Sequence, residues 1–162
     1  MKTLRLSLLL CATALVCAAQ NPGMQPKMEN PADMKFINIP NVPTCLTASI
    51  ERGDPFKEPF TIFVRGTAGC DVPLHFHSAA EQVMMVGGTG RMLMKGEKPR
   101  ILRAGGFALA PARHAHHFTC VTACQFYLSG DGAFDIHYID AGGKEIPFEQ
   151  AVPAAGRAPA SH

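Results

Sequence analysis

Two short segments of this chain contain five of its seven histidines, and the spacing in the first segment is that of a metal site. His75 and His77 are two residues apart, and Glu81 follows four residues later. Side chains at positions i and i+2 of a β-strand point to the same face, so the two imidazoles can reach one point together. The Ser-Ala-Ala break after His77 can turn the chain and return the Glu81 carboxylate to that point. These residues predict a metal centre.

A fourth donor is available in the second histidine segment, which begins about 35 residues further on at Pro111. His114, His116 and His117 are all candidates; on a strand the first two would share one face and His117 would take the other. Three imidazoles and one carboxylate suit Mn, Fe, Co, Ni or Zn. One alternative is that His75 and His77 are buried, hydrogen-bonded histidines; a metal site is favoured because a Glu81 carboxylate converging on them would otherwise be buried unpaired, which is costly. For Glu81 itself the alternative is a surface salt-bridge partner.

The first 19 residues have the features of a signal peptide. Lys2 and Arg5 give a basic start, residues 6–17 form an apolar run too short to span a bilayer, and two alanines then suit cleavage. A lipid anchor is disfavoured, because a bulky valine precedes Cys17. We therefore expect an exported protein, periplasmic or secreted, that begins near Gln20.

The composition of the mature chain limits its partners. About 143 residues remain after cleavage, enough for one domain with a core. Removal of Lys2 and Arg5 leaves 13 basic residues against 13 acidic ones, without a basic stripe. This balance argues against nucleic acid as a partner. No later apolar run approaches membrane-spanning length, so we expect no membrane association after signal cleavage.

Four cysteines remain after cleavage, and an even number in an exported chain predicts disulfides, with three possible connectivities. Cys120 and Cys124 lie on either side of a three-residue turn, which suits a hairpin closure; Cys45 and Cys70 would then form the other pair. Free thiols are the alternative. The spacing lacks the paired short-range cysteines of structural zinc sites.

The rest of the chain predicts an all-β domain between two irregular segments. Residues 20–43 are rich in proline and form an extended N-terminal arm, and residues 141–162 form a C-terminal tail. Between them, strand-sized runs separated by glycine and proline predict a sandwich or small barrel without a major helix. The predicted strands are 44–51, 60–65, 82–86, 91–94, 106–110, 116–119, 125–128 and 134–139.

Two longer patterns indicate a resemblance to a known superfamily. Gly69, His75, His77, Glu81 and Gly88 occupy every fixed position of the first cupin motif: Gly, five residues, His-X-His, three residues, Glu, six residues, Gly. Over about residues 44–140 the chain therefore resembles a small, exported, single-domain cupin.

The second cupin motif is matched in part. Gly105, Pro111 and His116 lie at its spacing, whereas Arg113 stands at a glycine position and Cys120 at an asparagine position. A glycine in a tight turn often supplies a positive φ, which costs an arginine strain. The asparagine is not a metal ligand.

The resemblance implies a cupin barrel, also called a double-stranded β-helix or jelly roll, that holds one divalent transition metal. The implied ligands are His75, His77, Glu81 and His116, with His114 as a candidate catalytic proton carrier near them. Cupins with these ligands include dioxygenases, decarboxylases and isomerases, and they often form homodimers. We expect a metal-dependent enzyme, dioxygenase-type or related, acting on a small oxygenated organic molecule. A non-catalytic, metal-loaded protein that binds or senses a small ligand is the alternative, and the sequence leaves this choice open.

Overall fold

Ten β-strands form two five-stranded antiparallel sheets in the computed structural model, which describes residues 25–153. The predicted signal peptide, the end of the predicted tail and His162 lie outside this range. The strands are β1 (Leu46–Arg52), β2 (Phe60–Gly66), β3 (Asp71–Phe76), β4 (Glu81–Gly87), β5 (Thr89–Met94), β6 (Arg100–Arg103), β7 (Phe107–Ala110), β8 (His116–Cys120), β9 (Cys124–Gly130) and β10 (His137–Tyr138). The predicted all-β jelly-roll barrel is confirmed.

The order of strands in the sheets brings distant parts of the chain together. One sheet has the order β1-β2-β9-β4-β7 and the other β10-β3-β8-β5-β6. In the second sheet β3 pairs with β8, which places His75 directly opposite His116. Between β4 and β5 the chain passes from one sheet to the other through Gly88, whose φ of 71° is in the left-handed region. A Cβ at Gly88 would collide with the carbonyl of Ala123, so this crossing requires glycine.

Alternating side chains fill the space between the sheets. In β4, Val83 and Met85 are buried, and in β8 Phe118 is buried two residues after His116. The same alternation that packs these apolar side chains inward also directs Glu81 and His116, the first residues of β4 and β8, to the interior. The core thus fixes the direction of two predicted donors.

The structure contains two strands absent from the sequence-based set. Strand β3 (Asp71–Phe76) includes Pro73, and β6 (Arg100–Arg103) is an exposed edge strand with a charged residue at each end. Strand β6 has no apolar alternation, and in β3 the proline lies between the alternating apolar residues Val72, Leu74 and Phe76, which argues against a strand there. The last predicted strand, 134–139, is reduced to His137–Tyr138. Within the described range the single helix is α1 (Phe148–Ala151), and none is long and apolar enough to cross a membrane.

Both predicted disulfides are present. Cys45–Cys70 ties the start of β1 to the loop before β3, and Cys120–Cys124 closes the β8–β9 hairpin. Their Cα atoms are 5.6 Å apart in each case, an ordinary separation for a disulfide. Two disulfides are typical of proteins outside the cytoplasm.

The segments on either side of the barrel contribute to its interior. In the described part of the N-terminal arm, Ile37 pairs with Ala48 of β1, and Ile39 and Pro43 are buried. At the other end, Val152 is only 2% exposed and belongs to the main core cluster. Packed chain therefore extends to at least residue 152.

Candidate metal centre

The four residues implied as ligands lie at strand ends that meet inside the barrel. His75 is near the end of β3, and His77 directly follows that strand. The next residues turn the chain into β4, which begins at Glu81, and β8 begins at His116. All four side chains are buried, with exposed fractions of 3%, 6%, 6% and 1% in sequence order.

The three imidazoles converge on one point. Ring centroids are 4.2 Å apart for His75 and His116, 4.9 Å for His75 and His77, and 5.3 Å for His77 and His116. One ligand atom from each ring lies within 4.8 Å of the other two. Such a cluster can hold a transition-metal ion.

Backbone carbonyls fix the tautomer of each ring. The Nδ1 atom of His75 is 2.7 Å from the carbonyl oxygen of Pro73, and that of His116 is 3.0 Å from the carbonyl oxygen of His114. The Nδ1 atom of His77 bonds the carbonyl oxygen of Asp135. A carbonyl can only accept, so each Nδ1 must carry the hydrogen and donate it. In the neutral rings every Nε2 therefore presents a lone pair, as metal-bound histidines do.

The Glu81 carboxylate faces two of these lone pairs. Its Oε2 atom is 2.9 Å from Nε2 of His77, and its Oε1 atom is 3.6 Å from Nε2 of His116. Despite this proximity, both Nε2 atoms are buried without a properly oriented hydrogen bond. Lone pairs that face a carboxylate repel it unless a proton or a cation lies between them. The residues present therefore fit a divalent transition-metal ion.

The charges of the site agree with this arrangement. Burial, together with the neighbouring His116 and His77, lowers the pKa of His75 well below its usual value. Burial alone would raise the pKa of Glu81, but the adjacent His77 and His116 lower it below its usual value, so the group is a carboxylate. For His77 the effect of burial is outweighed by Glu81, and its pKa is raised. A proton on His77 thus competes with a metal ion for Glu81.

A cavity of about 50 Å³ adjoins the four donors. Its other lining residues are apolar and include Val42, Phe118 and Phe134. This volume accommodates an ion and a few small-molecule atoms, since one water needs roughly 10–15 Å³. All polar groups in the lining belong to the four donor residues.

The structure brings together His75, His77, Glu81 and His116 but places His114 elsewhere. Strand β8 begins at His116, so His114 lies in the preceding turn and does not share a strand face with His116, contrary to the sequence-based expectation. Its side chain is absent from the described cavity lining, and its carbonyl supports His116. The proposed role of His114 as a proton carrier therefore has no geometric support from this position.

His117 and His137, the other histidines that the structure describes, lie outside the cavity. Nε2 of His117 is 2.7 Å from the Asp71 carboxylate. His137 stacks on Phe76 with ring centroids 4.8 Å apart and contacts the carboxylate of Asp135. The sequence did not predict that the Asp135 carbonyl accepts a hydrogen bond from Nδ1 of His77, because Asp135 lies in an irregular loop without a periodic pattern.

Arg113 adopts the conformation that the motif assigns to glycine. Its φ is 62°, and its N–H donates to the carbonyl of His77 at 2.8 Å. The guanidinium lies 4.6 Å from the ring centre of Phe76, a residue that alternates with His75 and His77. Arg113 is exposed and is not among the cavity-lining residues, so it supports the turn from outside the cavity.

Comparisons with known proteins agree with this fold. The structure resembles an RmlC-like cupin from Shewanella frigidimarina, with a TM-score of 0.57 and 15% identity over 68% of this chain and 95% of that one. It also resembles an acetylacetone dioxygenase from Acinetobacter johnsonii, with a TM-score of 0.60 and 17% identity over 81% of this chain and 88% of that one. A third similar structure is KdgF from a Halomonas species, with a TM-score of 0.54 and 16% identity over 66% of this chain and 94% of that one. No family model matches the sequence, and no curated protein is significantly similar to it. Identities this low show a shared fold, and the chain has the cupin fold that its first motif indicated.

Proposed function

We propose that the protein is an exported, metal-dependent enzyme that performs dioxygenase-type chemistry on a small oxygenated organic molecule. The observation that carries this proposal is the convergence of three oriented imidazoles on one buried point, with the Glu81 carboxylate beside two of them. Because backbone carbonyls already orient the rings, their Nε2 lone pairs are available before an ion binds. Little rearrangement of the protein is then needed to form the site.

The donor residues and the apolar walls of the site have different roles. His75, His77 and His116 would hold the ion as neutral donors, and Glu81 would supply one negative charge. The apolar walls exclude bulk water, which strengthens electrostatic interactions with a bound molecule. A bound Mn, Fe, Co, Ni or Zn ion would supply Lewis-acid or, for some of these ions, redox chemistry. Since all polar lining groups belong to the donor residues, chemistry centred on the ion is favoured over acid–base catalysis by a separate side chain.

The first substrates to test are small β-diketones. A cavity of about 50 Å³ favours a small molecule, and the similar Acinetobacter johnsonii protein is an acetylacetone dioxygenase. The two carbonyl oxygens of a β-diketone can chelate one ion, which would orient the carbon skeleton of the molecule against the apolar wall.

The proposal is tested by oxygen uptake and product analysis. The protein is loaded separately with each of the five metals and supplied with pentane-2,4-dione, a flavonol and several small organic acids. We expect substrate-dependent oxygen uptake with at least one metal, its loss in Glu81→Gln, and its retention in His117→Ala. Tight binding of these compounds without oxygen uptake or any product would contradict the enzyme proposal.

That outcome would support the second candidate function, a metal-loaded protein that binds or senses a small ligand without turnover. The position of His114 favours this alternative, because the tentative proton carrier lies outside the cavity lining. Binding and turnover must therefore be measured on the same preparations.

We also propose that the chain is exported and begins near Gln20. The disulfides Cys45–Cys70 and Cys120–Cys124 support an oxidising compartment. Intact-mass measurement of protein from the periplasm or culture medium is expected to show this start without a lipid. A lipid-modified start at Cys17 would contradict it.

A homodimer is the proposed assembly. The edge strand β7 exposes Phe107 and Leu109, which are 55% and 49% exposed and offer apolar surface for a second copy. Analytical ultracentrifugation is expected to show a dimer that Phe107→Ser weakens; a monomer at all concentrations would refute the pairing.

A further inference from the structure

A second cavity lies next to the metal centre, against β1, β2 and β9. Its volume is also about 50 Å³. The two cavities share five lining residues: Val42, Leu46, Phe126, Leu128 and Phe134. The two cavities are therefore neighbours, with these apolar side chains between them, and the four candidate metal ligands line the first cavity only.

The second cavity has hydrocarbon walls. The residues that line this cavity and not the first are Ile39, Thr47, Ala48, Ile62 and Val64. Thr47 is the one polar residue in its described lining. Protein interiors contain few voids larger than a water molecule, because an empty void forfeits dispersion contacts. Apolar cavities stay dry and bind apolar guests. A void of this kind beside the candidate metal centre suits an apolar part of a ligand.

The distribution of charge limits what that ligand can be. A divalent ion together with Glu81 would leave one net positive charge, which one anionic oxygen chelate on the ligand would neutralise. A second charge on a part of the ligand that extends into the second cavity would meet only hydrocarbon walls and Thr47. Burial of an unpaired charge in such surroundings is strongly unfavourable.

We propose that the ligand of this site has two parts: an oxygen-bearing head that binds at the metal centre and an uncharged alkyl or aryl arm that occupies the second cavity. This inference rests on the proposed metal site and extends it to a substrate class. Dicarboxylates, phosphates and sugar acids do not belong to that class.

Calorimetric binding of three hydroxamic acids to the zinc-loaded protein tests this inference. Zinc has no redox chemistry, so binding is measured without oxygen-dependent turnover. Acetohydroxamic acid has the chelating head alone, butanohydroxamic acid adds a short alkyl arm, and succinic monohydroxamate replaces the terminal methyl of that arm by a carboxylate. Two buried methylenes should make butanohydroxamic acid bind about tenfold more tightly than acetohydroxamic acid. Succinic monohydroxamate should bind at least about 10²-fold more weakly than butanohydroxamic acid.

A substitution that fills the second cavity tests where the arm lies. Ala48 lines this cavity only and is 1% exposed, so Ala48→Val should remove the advantage of butanohydroxamic acid while leaving zinc content and acetohydroxamate affinity unchanged. Val64→Ile is the second variant, for use if Ala48→Val does not fold. Ile50→Val, in the same strand as Ala48 but exposed and outside the lining of both cavities, is the matched control and should change none of these values.

The outcomes separate this inference from the proposed function. Failure to bind zinc would refute the metal site itself, whereas zinc binding without binding of acetohydroxamic acid would overturn the inference that the ion takes an oxygen-bearing head. If acetohydroxamic acid binds but butanohydroxamic acid binds no more tightly, or succinic monohydroxamate binds as tightly as butanohydroxamic acid, the metal site stands and the apolar-arm inference is overturned. An undiminished advantage of butanohydroxamic acid in folded cavity-filling variants would also overturn it.

Discussion

Replacement of His77 by alanine removes one of the converging donors and tests the metal centre directly. The imidazole is 6% exposed and its Nε2 atom is 2.9 Å from Glu81, so no other side chain can move in to replace it without rearranging the core. Loss of a group that merely orients a ligand costs roughly 10–100-fold in metal affinity. Loss of the ligand itself should therefore cost at least about 10²-fold.

This change in affinity predicts a difference in thermal stability. At a free metal concentration of about 100 times the wild-type Kd, binding stabilises the wild-type fold by about 2.7 kcal/mol. The same concentration would be close to the Kd of His77→Ala and would stabilise that variant by only about 0.4 kcal/mol. For a domain of this size these values correspond to rises in Tm of about 8–10 °C and about 1–2 °C.

The assay measures metal content and Tm with and without metal within each variant, so a change in the stability of the metal-free fold cancels. His117→Ala is the matched control, because His117 lies one residue from a candidate ligand yet contacts Asp71 instead. We expect about one metal per protomer and the full Tm rise in the wild type and His117→Ala. Full occupancy and an undiminished Tm rise in His77→Ala would refute the assignment.

Three further predictions concern residues around the site. Replacing Cys120 and Cys124 by serine should lower the free energy of unfolding by about 2 kcal/mol in the chain-entropy model, since the closed loop is short. Circular dichroism should show that the fold is intact. Four reactive thiols in the denatured, non-reduced wild type would contradict the disulfides. Arg113→Gly should be more stable than Arg113→Ala by about 1 kcal/mol in denaturant unfolding, because only glycine adopts the positive φ without strain. Both variants lose the contact with Phe76, so that loss cancels in the comparison. Equal stabilities would show that the turn is unstrained. His114→Gln should leave metal content and any turnover unchanged, because its imidazole is neither among the converging donors nor in the cavity lining. A loss of turnover by about 10²-fold with unchanged metal content would instead support the proton-carrier role.

The placement of His75 beside His77 could be predicted because it is local, whereas His116 was selected among three histidines by the cupin resemblance. The spacing of His75 and His77 follows from strand alternation, and the Cys120–Cys124 disulfide follows from the length of a hairpin turn. His114 was placed on the wrong kind of element for a physical reason. The His114 N–H donates to the carbonyl of Pro111 in a turn, and β8 begins only at His116, so counting back two residues from His116 does not identify a shared face.

The surroundings of the donors could not be predicted, because they depend on contacts between distant residues. The carbonyl that orients His77 belongs to Asp135, 58 residues away in an irregular loop. The second cavity is formed where arm residues such as Ile39 meet Val64 of β2, and no local pattern specifies a void. Strand β6 was missed because an exposed edge strand needs no apolar face.

The use of main-chain carbonyls to orient the three imidazoles has a consequence for mutational tolerance. In many metal centres a carboxylate side chain has this task, and one substitution can then release the ring. Here the acceptors belong to the backbone of Pro73, His114 and Asp135, so exchanging those side chains leaves the acceptors in place. Only a change in the path of the chain, such as an insertion or deletion in a neighbouring turn, would release a ring. We therefore expect the coordination geometry to tolerate sequence divergence around it better than changes in loop length.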